Sequence, residues 1–310
     1  MTEIVVSEFM EQAAVARLSA EFDVLYEPGL VDSPEQLRRS MGTASALIVR
    51  NRTAVDADLL AAAPRLEVVG RLGVGVDNID LETCKHRNID VLPATGANTT
   101  AVAEYVIAGA LMLLRGAYFA SAAVAAGQWP RQRLLGREVA GKTIGLVGFG
   151  TISREVARRA IVLGMEATAY DPYVDPADAA WRSLGVTQTS LNELIAGADI
   201  VSLHVPINAE TRNLIDAKRL GAMKADAVLI NSGRGGLVDE AALAAALRDG
   251  RIGGAMLDVF AIEPLAADSV LVGVPNLIMT PHIAGITVES NRCVSDVTVD
   301  NVMQYLRARR

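Results

Sequence analysis

Thr143-Ile144-Gly145-Leu146-Val147-Gly148-Phe149-Gly150-Thr151-Ile152-Ser153 is the stretch that decides the fold. An uncharged run of strand length leads into two glycines around one aromatic, and a helical pattern follows, Arg154 to Leu163. A buried strand, a sharp turn and a helix in that order make half of a parallel βαβ unit. Gly148 permits the tight turn and Gly150 lets an anionic group approach the backbone. The helix start adds N–H donors and the positive end of its dipole. Asp171 ends the next apolar run, Ala167–Tyr170, about 20 residues on. An acid there accepts from both hydroxyls of a ribose and repels a 2′-phosphate, and Pro172 to Ala180 holds no Lys or Arg. We therefore read the turn as a dinucleotide site for NAD rather than NADP. The third glycine of the pattern is replaced by Ser153, which predicts a slightly displaced helix with binding retained.

The same alternation runs outward in both directions. Short apolar runs stand at Ile4–Val6, Ala46–Val49, Glu67–Gly70 and Ile89–Leu92. They continue beyond the turn at Ile200–Leu203, Ala227–Ile230, Gly254–Asp258 and Leu277–Met279. Helical patterns fill the gaps, which implies parallel α/β architecture. Asn98-Thr99-Thr100 offers a cap before a long apolar helix to about Leu114. We expect two doubly wound parallel-sheet domains with a cleft between them. A Rossmann dinucleotide-binding domain takes 98–284. A flavodoxin-like substrate domain is assembled from 1–97 and 285–310, the latter a returning helix from about Val288 to Leu306.

Composition narrows the partners. The chain has 310 residues, 51% hydrophobic but only 4% aromatic, so its core is built from Ala, Val, Leu and Ile. The net charge of −7 and the lack of a basic run argue against nucleic acid. Two cysteines, Cys84 and Cys293, show no metal-ligand spacing and read as reduced thiols. No basic leader opens the chain, and Ala101–Leu114 is too short to span a bilayer. The expectation is a cytoplasmic protein without a membrane or metal role.

Three polar residues follow consecutive strand-like runs: Arg234 in Asn231-Ser232-Gly233-Arg234-Gly235-Gly236, Glu263 before Pro264, and His282 in Thr280-Pro281-His282-Ile283-Ala284-Gly285. Side chains leaving neighbouring parallel strands converge on one sheet edge. An imidazole with an ordinary pKa near ~6.5 suits proton transfer, and a carboxylate beside it fixes its tautomer. A guanidinium fork grips a carboxylate or polarises an oxygen. His86, in a polar turn, reads as surface; His204, ending a strand, reads as packed or bonded locally.

These segments, with Ala255 to Phe260 and Gly148–Ser153, resemble the D-isomer-specific 2-hydroxyacid dehydrogenase family over essentially the whole chain. The resemblance implies an NAD-dependent oxidoreductase acting on a small 2-hydroxy or 2-keto acid, and a homodimer with the helix near Asn98–Leu114 at or near its interface. It implies that His282 is the proton donor and acceptor, that Glu263 supports it, and that Arg234 orients the substrate. It places Asp258 and Ser232 near the nicotinamide, with Thr151, Ile152, Val205, Gly233, Arg234, His282 and Gly285 along the cofactor. Leu72-Gly73-Val74-Gly75-Val76-Asp77 looks like the loop whose backbone N–H groups hold the substrate carboxylate.

Arg50 and Arg71 both end strand-like runs of the N-terminal part. Similar arginines in the phosphoglycerate dehydrogenase branch contact a second anionic group. Ile4 to Met10 looks like the short (S)-sulfolactate dehydrogenase branch, and the expectation is a short form without the C-terminal regulatory domain. A D-configured 2-hydroxy acid with a C3 phosphate or sulfonate is the expected substrate. Glyoxylate or hydroxypyruvate reduction is the alternative within the enzyme class, and an NAD-sensing scaffold resembling transcriptional corepressors is the alternative outside it.

Overall fold

Continuous apolar runs become parallel strands buried on both faces, and these with a few more exposed edge strands make twelve among the described residues, in two separate sheets. The computed structural model describes residues 2–309. The chain divides into two units, 1–98 with 286–310 and 99–285.

The first unit holds β1 (Ile4–Val6), β2 (Val24–Tyr26), β3 (Ala46–Val49), β4 (Val68–Arg71) and β5 (Asp90–Pro93). They pair in the order β2-β1-β3-β4-β5, all parallel, the flavodoxin-like order. Alternate residues feed opposite cores. Ile4, Val6, Ala46, Ile48 and Val68 face one, while Val5, Leu47, Val49 and Val69 face the other. The returning helix Val288–Arg307 packs Val294, Val299, Val302 and Met303 into the first of these cores. Its start is fixed by a reciprocal cap between Thr287 and Ser290.

The second unit holds β6 (Thr143–Val147), β7 (Glu166–Tyr170), β8 (Thr187–Gln188), β9 (Ile200–Leu203), β10 (Val228–Asn231), β11 (Gly254–Leu257) and β12 (Leu277–Met279). Their order is β12-β11-β10-β9-β6-β7-β8. The direction of winding reverses between β6 and β9, and in open parallel sheets that reversal opens the crevice where ligands bind. The helix Thr99–Arg115 covers one face, burying Ala103, Val106, Ala110 and Leu114 with Ile144, Ile230 and Met256.

Two short edge strands, β2 and β8, escape the sequence reading. The helix after the glycine turn starts at Thr151 instead of Arg154, because Gly150 already sits extended at its cap position. His86 is exposed as expected, but it closes the helix Leu81–His86 and does not lie in a turn. Among the described residues no helix is long and apolar enough to cross a membrane.

Candidate active site

The glycine turn lies at the winding reversal. Gly148 has φ +93°, and a Cβ there would stand 2.7 Å from the carbonyl oxygen of His204 and 3.0 Å from Cγ1 of Val205. Only glycine lets the β6 turn pass so close to the chain leaving β9. Gly150 differs, since a Cβ there meets nothing within 4 Å. The space above the helix start is open, and no side chain caps its first N–H groups. No acidic residue stands in its first turn. An anionic diphosphate fits such a cradle on charge and on space. Thr151 is exposed at the first helical position, and Ile152 packs partly into the core beneath.

Ser153 is fully buried, and its hydroxyl donates to the carbonyl of Gly148 at 2.6 Å. The replaced glycine thus adds a tie across the turn. Asp171 follows β7, accepting from the backbone N–H of Phe149 at 2.8 Å and of Tyr173 at 2.9 Å. Two bonds leave acceptor capacity on the carboxylate, which has about four lone-pair sites. Beneath the turn, the Phe149 ring stacks on Trp181 with centroids 4.0 Å apart, and the Arg154 guanidinium lies over the Phe149 ring, 5.0 Å from its centroid.

The polar trio follows β10, β11 and β12, three adjacent strands. His282 Nδ1 lies 2.7 Å from Oε2 of Glu263, and Oε1 of Glu263 accepts from the N–H of Phe260 at 3.0 Å. A carboxylate can only accept here, so Nδ1 carries the hydrogen and Nε2 is left to face a substrate. His282 itself has φ +56°, a left-handed conformation that non-glycine residues adopt at a cost and that clusters at functional sites.

Arg234 sits in a turn tied by Asn231, whose buried side-chain amide donates to the Arg234 carbonyl at 2.9 Å and accepts from Gly233 N–H at 3.1 Å. A Cβ on Gly235 would stand 1.7 Å from the Phe260 carbonyl, so the Arg234 turn and the Glu263 loop are packed backbone to backbone. Glu240 holds the same loop by accepting from Ala261 N–H at 2.7 Å. The Ser232 hydroxyl is buried without a protein partner, an orphan that a bound amide or ribose group can satisfy.

Asp258, expected near the nicotinamide, also holds the protein together locally. It is 1% exposed, and its carboxylate accepts from Thr280 Oγ1 at 2.6 Å, Ile283 N–H at 2.8 Å and Ala284 N–H at 2.7 Å. Its backbone carbonyl accepts from His282 N–H at 2.8 Å. It fastens the turn that presents His282 and ends at Gly285. His204 is bonded locally: its Nε2 lies 2.9 Å from Ser202 Oγ, and burial pushes its pKa down to about 4.

In the first unit, Arg50 and Arg71 stand at the carboxyl ends of adjacent strands, with Val49 paired to Arg71 in register. The Arg50 guanidinium donates to Asn291 Oδ1 at 2.6 Å, and burial lowers its pKa. Arg71 folds over the following loop and donates to the Leu72 carbonyl at 2.8 Å. Gly73, Val74 and Gly75 continue from there, with the Gly73 carbonyl accepting from Ala94 N–H at 2.9 Å. Two residues that motif reading missed shape this edge. Glu8 is 4% exposed and accepts from the N–H groups of Arg50, Arg52 and Thr53 at 2.8, 3.2 and 2.9 Å. Asn78 donates to the carbonyls of Arg50 and Thr53.

Known proteins are similar to this chain in sequence and fold. The model of the D-isomer specific 2-hydroxyacid dehydrogenase NAD-binding domain matches residues 107–284. The chain is 55% identical to an (S)-sulfolactate dehydrogenase of Chromohalobacter salexigens over 309 residues, covering 100% of both chains. It is 40% identical to a D-3-phosphoglycerate dehydrogenase of Mycobacterium leprae over 95% of this chain, but it spans only 55% of that longer protein. Among solved structures, a D-lactate dehydrogenase of Aquifex aeolicus, complexed with NAD and lactic acid, superposes with a TM-score of 0.84 at 28% identity, covering 99% of this chain and 96% of that one. On these grounds the chain belongs to the D-isomer-specific 2-hydroxyacid dehydrogenase family and is an NAD-dependent oxidoreductase of that class.

Proposed function

We propose that this enzyme interconverts a D-configured 2-hydroxy acid and its 2-keto acid, where C3 carries a second anion of the sulfonate or phosphate type. The observation that carries the substrate reading is the pair Arg50 and Arg71 at the ends of adjacent strands β3 and β4. Two guanidinium groups suit a tetrahedral oxyanion far better than an alkyl side chain. The full-length likeness to a sulfolactate enzyme supports the same reading.

The chemistry of the chain itself is proton handling and charge placement. In the oxidative direction Nε2 of His282 takes the C2 hydroxyl proton, and in the reductive direction it returns one to the C2 oxygen. Positioned acid–base help of this kind is worth roughly 10²–10⁴-fold. Glu263 holds the ring with Nδ1 protonated and offsets the charge that forms on it. Arg234 orients the substrate and stabilises charge developing on the C2 oxygen. NAD, when bound, supplies the two-electron acceptor for hydride from C2. Gly148, Gly150, Thr151 and Ile152 would hold its diphosphate and Asp171 its ribose. Val205, Ser232, Gly233, Asp258 and Gly285 would line the nicotinamide end. The N–H groups of Gly73, Val74 and Gly75 would take the substrate's C1 carboxylate.

We place the enzyme in the cytoplasm as a homodimer. The exposed apolar side chains Tyr118, Val124, Trp129 and Leu135, gathered in one stretch after the Thr99–Arg115 helix, support self-association. Light scattering of the purified protein tests the dimer.

The substrate test is NADH formation across D-2-hydroxy acids with and without a C3 sulfonate or phosphate, with glyoxylate and hydroxypyruvate in the reductive direction. A clear kcat/KM preference for the dianions is expected. Preference for glyoxylate or hydroxypyruvate would replace this reading, and no turnover on any 2-hydroxy acid would favour a sensing role.

A further inference from the structure

We propose that Tyr105 is a positioning residue for the reaction, acting through Thr280 and Asp258 to set the turn that presents His282; this rests on His282 being the acid–base group. The Tyr105 hydroxyl lies 2.5 Å from Thr280 Oγ1, which donates to Asp258 Oδ1 at 2.6 Å. Thr280 has a single hydroxyl hydrogen, and Asp258 takes it. Tyr105 must then be the donor to Thr280, so the chain of bonds has one direction: Tyr105 to Thr280 to Asp258.

Asp258 is the hub. It is 1% exposed, and both of its oxygens accept N–H groups from the residues immediately after His282. Its own carbonyl takes the N–H of His282 at 2.8 Å. The backbone N–H groups of His282, Ile283 and Ala284 therefore all reach one residue, that of His282 being shared with the Thr280 carbonyl at 3.1 Å, and His282 is held at φ +56°. A left-handed conformation in a non-glycine residue persists only where its surroundings over-determine it. Tyr105 supplies the outermost tie from a helix that packs on the same sheet. Hydrogen bonds in such a chain polarise one another, so losing the first weakens the rest. Burial raises the Tyr105 pKa to about 12, so the phenol keeps the hydrogen that this direction requires.

The test uses Tyr105→Phe, Thr280→Val and Thr280→Ser in the full-length enzyme, with His282→Asn beside them. Single-turnover hydride transfer should fall roughly three- to thirty-fold in Tyr105→Phe and further in Thr280→Val. NADH binding, read by fluorescence, should stay within about twofold for both. Thr280→Ser, which keeps the hydroxyl, should restore the rate. Because the bonds act in series, the double variant Tyr105→Phe/Thr280→Val should be no slower than Thr280→Val alone. Wild-type rates in Tyr105→Phe, or additive losses in the double variant, would overturn the proposal while a dead His282→Asn still upheld the acid–base reading. An active His282→Asn would instead remove that reading and this one with it.

Discussion

His282 Nδ1 meets Glu263 Oε2 at 2.7 Å, and the other oxygen of that carboxylate is pinned at 3.0 Å by the N–H of Phe260. The glutamate is thus fixed at both oxygens, and it fixes the ring. Replacing His282 with Asn should cost roughly 10²–10⁴-fold in kcat, with NADH binding retained. Stopped-flow turnover and NADH fluorescence check this. A variant keeping more than about a tenth of the wild-type kcat would remove His282 from the proton step, the threshold following from that range. Glu263→Gln should be slower than wild type but faster than His282→Asn, because the ring survives with a poorer orienter.

Asp171 is held by the N–H groups of Phe149 and Tyr173, which aims its carboxylate from the end of β7 beside the glycine turn. Asp171→Ala removes both an acceptor for the ribose and the repulsion of a 2′-phosphate. KM for NAD should rise and discrimination against NADP should relax. Steady-state KM for both cofactors measures it; an unaltered NAD/NADP ratio would assign ribose reading to another residue.

Ser153 offers a stability test at the same turn. Its hydroxyl is fully buried and ties the helix to the Gly148 carbonyl at 2.6 Å. Ser153→Ala leaves that carbonyl short of a partner, at about 1–3 kcal/mol. A unit of this size should lose roughly 2–4 °C of Tm per kcal/mol. Calorimetry of the apo protein reads it directly, and an unchanged Tm would show that the bond contributes nothing.

The strands of both sheets were legible because parallel strands covered on both faces need apolar side chains at every position, as in Val228-Leu229-Ile230. The edge strands β2 and β8 were not. Val24–Tyr26 is only half-buried and Thr187–Gln188 is exposed, so neither needs an apolar run. The trio Arg234, Glu263 and His282 could be found from chain order, since each follows a strand that neighbours the next. The residues that hold them carry no such local signal. Tyr105 meets Thr280 across 175 residues, and Glu8 meets the Arg50 loop across 42. A single polar residue inside an apolar pattern shows that a partner exists but does not say which one. Asp258 had the opposite problem: its motif was plain, while its three bonds into the His282 turn were invisible.

His204 gives the pH dependence of stability a definite sign. Burial lowers its folded pKa to about 4, against ~6.5 in an unfolded chain. Between those values the unfolded state binds the extra proton, so stability is full above pH ~6.5 and declines as pH falls towards 4. His204→Gln, which can still bond Ser202, should flatten that decline. Tm measured from pH 7 to 4 decides it, and an identical slope in the variant would assign the acid limb to other groups.

The arginine pair gives the sharpest test of substrate class. Arg50 is held by Asn291 at 2.6 Å, and its backbone is clasped by the buried carboxylate of Glu8 at 2.8 Å. Arg71, one strand over, folds across the Leu72–Gly73 backbone. Met keeps much of the packing of an arginine stem while deleting its charge. If these groups grip the C3 anion, Arg50→Met or Arg71→Met should lower kcat/KM for a sulfonated or phosphorylated 2-hydroxy acid about ten- to a hundred-fold, as expected for charge-assisted bonds worth roughly 1.5–3 kcal/mol. D-lactate and D-glycerate, which lack the second anion, should be nearly unaffected. Glu8→Gln should reproduce part of the loss in KM alone, because the Arg50 loop loosens while the proton chemistry at His282 is untouched. Equal losses on monoanionic and dianionic substrates would show that the arginines serve the C1 carboxylate or the fold, and the dianion reading would fall with them.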